Sequence, residues 1–260
     1  MENQWKWKEQ AVIIKQDKIA TNIYSIWFQT ESIAKAAQPG QFLSIYCKEG
    51  SRLLPRPISI CEVEKEQNRL RVVYRIVGEG TKEFSSYKSG DRLDIMGPLG
   101  NGYRLKEHKK AYLIGGGIGI PPLLELAKRL QGEKEIILGY RNGKELFLIE
   151  ELKQYGTVSI STEDGSAGIK GNVLDVIQGK HFEAEQIYAC GPTPMLRAVQ
   201  SYAKEKGIPA QISLEEKMAC GIGACLACVC QSKEVDEHSH VHNKRICKDG
   251  PVFDVEEVEL

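Results

Sequence analysis

Four cysteines near the end of the chain constrain its fold more than any other feature. Cys220, Cys225 and Cys228 are separated by four and then two residues, and Cys247 follows after a polar stretch. This spacing is typical of a plant-type [2Fe–2S] cluster, in which four thiolates hold two irons. Gly221, Gly223 and Ala224 lie in the first interval, and glycine can turn backbone N–H groups toward sulfur without a Cβ clash. The pattern therefore predicts an iron–sulfur segment.

Zinc is the main alternative for this segment, because Cys225 and Cys228 also have the spacing of a zinc knuckle. Three histidines follow them, at His238, His240 and His242. Zinc ribbons usually present two separated pairs of cysteines with two residues between them, so the four-residue interval favours iron–sulfur. We interpret the histidines as part of a solvated turn between ligands.

The number of cysteines also bears on the choice of ligands. Of the eight in the chain, five lie between Cys220 and Cys247. A secreted disulfide framework would spread them more evenly, so clustering favours ligation in a reducing compartment. Cys230 complicates the choice, because Cys225 and Cys230 also enclose four residues. We favour Cys220, Cys225, Cys228 and Cys247, which reproduce the whole pattern and leave Cys230 as a buried thiol.

Charge and hydropathy exclude several classes of protein. Basic and acidic residues both number 35, giving a formal net charge of zero, whereas a nucleic-acid surface needs a basic excess. No apolar run reaches the length of a membrane span, and residues 1–6 do not read as a signal peptide. We therefore expect a cytoplasmic protein without a nucleic-acid or membrane partner. A length of 260 residues allows two compact domains and a small third segment.

The first part of the chain, residues 1–102, predicts a small antiparallel β-barrel. Short β-rich stretches at 22–30, 41–47, 70–77 and 91–96 are separated by turn residues. Several strands at this spacing are typical of an antiparallel barrel.

Residues 103–212 predict an α/β domain with a parallel sheet. Apolar strands at 111–114, 135–140, 157–162 and 186–189 alternate with helical patterns such as 172–177 and 195–206. Strands that alternate with helices form a parallel sheet with covered faces. Residues 213–260 form the third, cysteine-rich segment. It has few aliphatic residues, and we expect it to fold around its metal centre.

A glycine run closes the first strand of the α/β domain and opens a helix. Its glycines are Gly115, Gly116, Gly117 and Gly119. The pyrophosphate of a dinucleotide binds at such a helix N-terminus, although tight turns also use glycine for packing. Pro121 and Pro122 stand where a third spaced glycine is expected, and proline is tolerated in a first helical turn.

Two further motifs have both a structural and a functional interpretation. Cys190, Gly191 and Pro192 end a late strand, either as a turn with a buried cysteine or as the border of a nicotinamide site. In the barrel, Arg56, Pro57, Ile58 and Ser59 begin a strand, and arginine and serine can hold a flavin phosphate and ring edge. Val73, Tyr74 and Arg75 follow, and then Gly80 and Thr81, where glycine permits close backbone approach to a phosphate.

Taken in order, these motifs resemble the ferredoxin-reductase superfamily. Within it, the tail E-E-K-M-A-C-G-I-G-A-C-L-A-C at 215–228, with Cys247 before D-G-P-V-F at 249–253, is similar to the electron transfer subunits of type B dihydroorotate dehydrogenase. The resemblance covers essentially the whole chain, and the combination of motifs is specific although its parts are not.

The resemblance implies a fold and three cofactors. An FAD-binding β-barrel at 1–102 is followed by an NAD-binding α/β domain at 103–212 and a [2Fe–2S] domain at 213–260. The implied FAD contacts are Arg56, Pro57, Ile58, Ser59, Val73, Tyr74, Arg75, Gly80 and Thr81. The implied cluster ligands are Cys220, Cys225, Cys228 and Cys247. Gly115, Gly116, Gly117, Gly119, Cys190, Gly191 and Pro192 are the candidate nucleotide contacts.

The resemblance also implies a partner and a reaction. The partner is an FMN-containing catalytic subunit that oxidises dihydroorotate in pyrimidine biosynthesis, joined in a heterotetramer of two subunit types. Electrons would pass from FMN through the cluster and FAD to NAD+. Hydride transfer from a flavin needs no general acid or base, so none is predicted, and Cys190 is expected nearest the nicotinamide. We expect the loop at 221–227 to face the partner.

The sequence leaves two rival functions open. A ferredoxin:NAD(P)+ oxidoreductase, hydrogenase or sulfide dehydrogenase flavoprotein would share the same build, and a regulatory zinc module would keep the fold without flavin. The choice between NAD+ and NADP+ is also open, because Arg141 could bind a 2′-phosphate while Glu163 and Asp164 could bond ribose hydroxyls. The resemblance favours NAD+.

Overall fold

The computed structural model describes residues 6–179, 182–236 and 240–260. The first part is a closed barrel of six antiparallel strands. They are β1 (Trp7–Ala20), β2 (Ile23–Gln29), β3 (Phe42–Ile45), β4 (Arg56–Glu64), β5 (Arg69–Arg75) and β6 (Arg92–Leu99), with α1 (Ile33–Ala36) and α2 (Glu79–Phe84) in the connections. The order is β1-β2-β5-β4-β3-β6, and β6 pairs back to β1. Closure leaves the barrel without an unpaired edge.

Apolar side chains at alternate positions of the strands fill the interior of the barrel. Ile26 and Phe28 on β2, and Leu43 and Ile45 on β3, are fully buried and pack in one core. Residues on a strand point alternately to its two faces, so a closed sheet turns one set inward. The barrel predicted from the sequence is therefore confirmed, although β1 and most of β4 were not predicted as strands.

The second part is a sheet of seven strands. Six of its strands are β7 (Lys110–Gly116), β8 (Glu133–Tyr140), β9 (Thr157–Thr162), β10 (Ile169–Lys170), β11 (Gln186–Cys190) and β12 (Ala210–Ser213), and the seventh, at one edge, comes from the cysteine-rich segment. The connecting helices are α3 (Pro122–Arg129), α4 (Ile149–Lys153), α5 (Val173–Gln178) and α6 (Thr193–Lys206). The order β10-β9-β8-β7-β11-β12 is parallel throughout. The chain runs outward from β7 to one side and then returns to β11 on the other. Ligands of such sheets bind at this switch point, beyond the carboxyl ends of the strands.

The cysteine-rich segment contains a short hairpin, β13 (Val229–Gln231) and β14 (Asn243–Arg245), and ends in β15 (Val252–Asp254). β15 pairs antiparallel with β12 as the last strand of the large sheet. Phe253 and Val255 are buried in the same core as the sheet. The segment is thus anchored by the sheet as well as by its own cysteines, which its composition did not indicate.

A polar seam joins the barrel to the α/β part. Glu125 on α3 is almost fully buried, and its carboxylate accepts the Val63 N–H of β4 at 2.9 Å and Arg129 Nε at 2.7 Å. On the barrel side, buried Arg71 lies 3.6 Å from both Glu62 and Glu151. Buried charges need partners of this kind, so the seam fixes the barrel against α3 and α4.

Candidate functional site

One cavity, of about 480 Å³, opens on the side of the barrel. It is lined by Arg56, Pro57, Ile58, Ser59, Val73, Tyr74, Arg75 and Thr81. All of them were predicted from the sequence as FAD contacts. Those on β4 and those on β5 come together because the two strands pair in the barrel. We refer to this space as the flavin cavity. Its size and its mixture of apolar and cationic groups suit a large aromatic ligand with phosphates.

The turn after β5 is held by Thr81. Its hydroxyl accepts the N–H groups of Val77 and Gly78 at 3.0 and 3.2 Å, and donates to the Gly78 carbonyl at 3.0 Å. A Cβ on Gly80 would lie 2.5 Å from Arg56 Nε. Gly80 is not among the residues that line the flavin cavity, but its missing side chain leaves room for the Arg56 guanidinium.

The opposite wall of the flavin cavity was not predicted from the sequence. It is formed by Phe42, by Ser213 at the end of β12, by the residues that follow it, namely Leu214, Glu215, Glu216, Lys217 and Met218, and by Pro251. Only their position in the chain could have indicated a role at the site. They lie at the carboxyl end of a parallel strand, where ligands bind. This wall runs directly into Cys220, so the flavin cavity and the cysteine loop are contiguous along the chain.

The four predicted cysteine ligands form two sulfur pairs. The sulfurs of Cys220 and Cys225 are 3.3 Å apart, and the Cys225 N–H lies 3.4 Å from Cys220 Sγ. In the second pair, the Cys247 N–H lies 3.4 Å from Cys228 Sγ. Gly223 links the pairs, because its N–H donates to Cys247 Sγ at 3.1 Å. Two thiolates from each pair and N–H donors to sulfur match the demands of a two-iron cluster.

The glycines of the loop have the backbone conformation that the sequence argument required. Gly221 and Gly223 have φ of +68° and +84°. A Cβ at Gly221 would also lie 2.8 Å from Ser44 Oγ, and one at Gly223 would lie 2.8 Å from the Lys248 side chain. A left-handed backbone and close neighbours together restrict both positions to glycine.

Hydrogen bonds prepare two of the thiols for ligation. The pKa of Cys228 is lowered to about 6, chiefly by the hydrogen bond from the Cys247 thiol, which outweighs burial. Burial alone would raise the pKa of Cys220, but backbone N–H groups from Ile222, Cys225 and Ala224 lower it to about 7. The hydrogen bond to Cys228 and burial raise the pKa of Cys247. Thiolates are the ligating form, so the loop favours it at two positions.

The arrangement does not suit a single metal ion. Within residues 6–179, 182–236 and 240–260, no three His, Cys, Asp or Glu side chains converge as one tetrahedral zinc would require. His240 and His242 are exposed, and His242 Nδ1 lies 2.9 Å from the Lys233 carbonyl oxygen. His238 lies outside the described residues.

Cys230 belongs to neither sulfur pair in the described residues. It lies on β13, and its thiol contacts the Lys244 carbonyl at 3.6 Å. Burial raises its pKa to about 11, which disfavours the thiolate that a ligand needs.

A second cavity, of about 660 Å³, lies beyond the carboxyl ends of β7, β8, β9 and β11. The predicted residues that line it are Gly116, Gly117, Gly119, Gly191 and Pro192. We refer to it as the nucleotide cavity. The glycine run and the end of β11 lie close together, because a Cβ on Gly119 would be 2.6 Å from the Cys190 carbonyl.

Two predicted nucleotide contacts lie behind this surface. Gly115 packs against α3, where a Cβ would lie 2.8 Å from the side chains of Ile120 and Leu123. The Cys190 side chain is fully buried, and burial raises its pKa, as does the charge of Glu215, while a hydrogen bond with Ser213 opposes them. Both residues therefore support the wall of the cavity, and Cys190 lies directly behind the point where the two cavities meet.

The two cavities share three lining residues, Arg75, Ile118 and Glu215. Glu215 is exposed to the open space of both cavities, yet protein surrounds it on the remaining sides, and this desolvation raises its pKa. A flavin in the first cavity and a nicotinamide in the second would therefore lie next to each other at Glu215.

Arg141 and Glu163 both line the nucleotide cavity. The carboxylate of Asp164 is instead bonded to the N–H and hydroxyl of Ser166, at 2.9 and 2.6 Å. Of the two acidic candidates for ribose binding, the structure therefore places only Glu163 in the cavity.

Three family models match successive parts of the chain. An oxidoreductase FAD-binding domain matches residues 10–103, and an oxidoreductase NAD-binding domain matches residues 113–201. The iron–sulfur cluster binding domain of dihydroorotate dehydrogenase B matches residues 215–259. The cofactors predicted from the sequence, FAD, NAD and a [2Fe–2S] cluster, agree with these families and with the donor atoms of each site.

Similar proteins match along almost the whole chain. A protein of Caldanaerobacter subterraneus subsp. tengcongensis is 44% identical over 254 residues, covering 97% of this chain and 99% of that protein. A protein of Bacillus cereus is 44% identical over 260 residues with the same coverage. Both are named dihydroorotate dehydrogenase B (NAD(+)), electron transfer subunit.

Solved structures share the fold. A chain from the structure of an electron-bifurcating NADH-dependent reduced ferredoxin-NADP oxidoreductase is 32% identical, with a TM-score of 0.86, and 96% of this chain covers 90% of it. A ferredoxin reductase of carbazole 1,9a-dioxygenase is 20% identical, with a TM-score of 0.68 and coverage of 78% and 67%. In the part of the chain that the structure describes, no helix has the length and apolar character to cross a membrane.

Proposed function

This chain belongs to the family of electron transfer subunits of dihydroorotate dehydrogenase B, and on that premise we propose that it carries electrons from dihydroorotate oxidation to NAD+. Electrons enter at the cysteine loop from a catalytic partner and leave at the nucleotide cavity as hydride. When bound, the cluster carries single electrons, the flavin converts between one- and two-electron transfer, and nicotinamide accepts a hydride. The physiological role is the orotate-forming step of pyrimidine biosynthesis.

Cys220, Cys225, Cys228 and Cys247 are the proposed cluster ligands. Their two sulfur pairs supply four donors, and the N–H groups of Gly223 and Cys225 point at sulfur. Such donors stabilise thiolate charge and tune the potential of a bound cluster.

The proposed FAD contacts divide by chemistry. Arg56 supplies positive charge for a phosphate, Ser59 a hydroxyl and Thr81 the ordered turn. Pro57, Ile58, Val73 and Tyr74 form the apolar side of the cavity, and Gly80 leaves room for the Arg56 guanidinium. Glu215 to Met218 close the cavity from the cysteine side.

NAD+ is proposed to bind in the nucleotide cavity. Gly116, Gly117, Gly119, Gly191 and Pro192 form the surface on which it lies, while Gly115 and Cys190 hold that surface from behind. A side chain on these glycines would occupy the space needed by the cofactor or displace the adjacent strand end. Hydride transfer requires the two rings to stack, and the junction at Glu215 is where they would meet.

The proposed partner is an FMN-containing catalytic subunit, in a cytoplasmic heterotetramer of two subunit types. Ile222 and Leu226 are 42% and 47% exposed on the cysteine loop. Apolar side chains of this kind commonly mark an interface. Electrons can enter only where the cluster is near the partner, so we propose that the loop at 221–227 faces it.

The contiguity of the three sites carries the proposal. The wall of the flavin cavity runs into Cys220, and the flavin and nucleotide cavities share Glu215. The test is a visible spectrum of anaerobically purified protein, with assays for iron, sulfide and FAD, before and after NADH is added. Flavin bands with two irons and two sulfides, bleached by NADH, are expected. A colourless protein that contains zinc would overturn the proposal.

A ferredoxin:NAD(P)+ oxidoreductase subunit is the second candidate. The 32% identity to a chain from an NADH-dependent ferredoxin-NADP oxidoreductase structure favours it, and the electron chain within the subunit would be the same. Pull-down of the tagged chain from its own cells discriminates the two. A co-purifying FMN subunit that reduces NAD+ with dihydroorotate supports the first function, whereas exchange of electrons only with ferredoxin supports the second.

A further inference from the structure

An ion pair between Arg75 and Glu145 lies where the two cavities meet. Arg75 is the last residue of β5, and Glu145 ends a 3-10 turn after β8. Arg75 Nη2 donates to Glu145 Oε2 at 2.9 Å, and the two side chains are 24% and 20% exposed. Asn142 Nδ2 also approaches the second carboxylate oxygen at 3.4 Å. The pair therefore crosses from the barrel to the α/β part in partly buried surroundings.

The guanidinium lies among residues of the nucleotide cavity. Arg75 lines both cavities, but Gly117 and Glu145 line the nucleotide cavity and not the flavin cavity. Nη2 would lie 3.9 Å from a Cβ built on Gly117. The charged end of Arg75 is thus beside the glycine run, although the residue was predicted from the sequence as an FAD contact.

The nucleotide cavity has few groups that could hold a diphosphate. Its lining cations in the described chain are Arg75 and Arg141, against the carboxylates Glu145, Glu163 and Glu215. Three helices begin near it: α3 and α6 have prolines in their first turns, and the first free N–H groups of α5, those of Leu174 and Asp175, already donate to the Asn172 side chain. Proline lacks the N–H that a helix N-terminus normally offers to an anion. Arg75 is therefore the side-chain cation beside the glycine run that could bind a diphosphate there.

We propose that Arg75 binds the diphosphate of the nicotinamide dinucleotide, and that Glu145 holds the guanidinium in place until phosphate displaces it. This inference rests on the proposed function and adds a residue of the barrel to the nucleotide site. Arginine forms paired N–H bonds with phosphate as it does with carboxylate, so one anion replaces another at the same donors. Glu145 is thus a positioning residue that orients Arg75 and competes with the ligand.

The test measures binding of ADP-ribose, which carries the diphosphate but cannot reduce flavin, to the full chain purified with its cofactors. Arg75→Gln is expected to weaken binding roughly tenfold, because a charge-assisted bond is lost, while FAD content is unchanged. Glu145→Gln is expected to tighten binding about threefold, the size of a partly exposed ion pair. Calorimetry at low salt gives both affinities.

Matched controls separate this role from general damage to the fold. Arg92→Gln removes an exposed cation on β6, and Glu150→Gln breaks the exposed pair with Lys153 on α4. Both should leave ADP-ribose affinity unchanged. The double variant Arg75→Gln/Glu145→Gln should bind like Arg75→Gln alone, because Glu145 acts only through Arg75. Two merely structural losses would instead add.

Two results would overturn the inference. One is a Glu145→Gln variant whose affinity is unchanged or weaker. The other is an Arg75→Gln variant that loses FAD but keeps its affinity for ADP-ribose, which would assign the guanidinium to the flavin. A parent protein that contains FAD and cluster but binds no ADP-ribose would contradict the proposed NAD+ reaction itself, so the two failures are distinguishable.

Discussion

The sulfur contacts of single cysteines determine which thiols can share a metal. Cys220 contacts Cys225, and Cys247 bonds to Cys228, so each pair can supply two of the four ligands of a tetrahedral iron. The spacing predicted the members of this set but not their pairing. Cys230 contacts a carbonyl instead.

Serine substitutions should separate the ligands from Cys230. We expect Cys220→Ser to abolish or strongly reduce the cluster absorbance and the iron content, because one of four thiolates is lost. Cys230→Ser should leave both near the parent level. Iron assays and visible spectra of the two variants make the comparison. A cluster that survives Cys220→Ser and is lost in Cys230→Ser would show that the ligand set is wrong.

Cys190 is expected to affect hydride transfer without touching FAD. Its buried thiol interacts with Ser213 and Glu215, so Cys190→Ala should loosen the wall between the cavities and slow flavin reduction by NADH severalfold, with FAD retained. Stopped-flow absorbance measures this rate. Cys61→Ala is the matched control, because Cys61 is equally buried but lies near the charges of Arg71 and Glu62 at the polar seam, and not near Ser213 and Glu215. Equal rates in all three proteins would remove Cys190 from the site.

β15 shows how one short strand can stabilise two parts of the chain. It completes the edge of the parallel sheet beside β12, and Phe253 is packed in the core of that sheet. Gly250 has no room for a side chain, since a Cβ would lie 2.3 Å from the Phe253 ring. The strand therefore ties the end of the cysteine segment to the α/β part.

Phe253→Ala should destabilise both the sheet and the cysteine segment. Removal of a fully buried aromatic ring costs roughly 3 kcal/mol, and the free energy of unfolding from urea titration measures it. The cluster absorbance should fall in the same transition. An exposed leucine gives the control, because Leu105→Ala removes a side chain that is 46% exposed. Cluster loss at a lower urea concentration than unfolding of the sheet would argue against the coupling.

Sequence reasoning was strongest where a motif is local. Three short patterns were found in this way. They are the glycine run at 115–119, the barrel strands near Arg56 and Arg75, and the cysteine spacing. Sequence reasoning failed where a surface is built from residues that are far apart in the chain. Glu215 looks like one of many charged residues, and only pairing of β12 with β11 brings it to the junction of two cavities. β15 has three residues, too few for a period-two pattern.

In the whole molecule the nucleotide cavity, the flavin cavity and the cysteine loop follow one another in space, with the cysteine loop at one end. The large sheet begins with β10 at one edge and ends with β15 beside the cysteine segment at the other. A partner that delivers electrons should therefore bind near β15 and the loop, while the edge at β10 should be free of it.

Charge substitutions at the two ends test this orientation. Leu226→Glu places a charge on the exposed apolar loop and should weaken association with the catalytic subunit about tenfold or more, while iron content is kept. Lys170→Glu on β10 reverses an exposed charge at the opposite edge and should leave the complex intact. Size-exclusion chromatography of co-expressed subunits gives the result. Loss of the complex in Lys170→Glu alone would contradict the proposed interface.

Ser213 pairs with Val252 in the sheet. Residues 214–251 therefore form one continuous segment that leaves the sheet at β12 and returns to it at β15. Neighbouring strands lie about 4.8 Å apart, so the two ends of this segment are close together. A two-residue turn could join these ends into a plain hairpin. The iron–sulfur segment thus has the topology of an insertion, and a reductase lacking it could gain one by a single insertion in this connection, provided that its flavin cavity accepted the new wall.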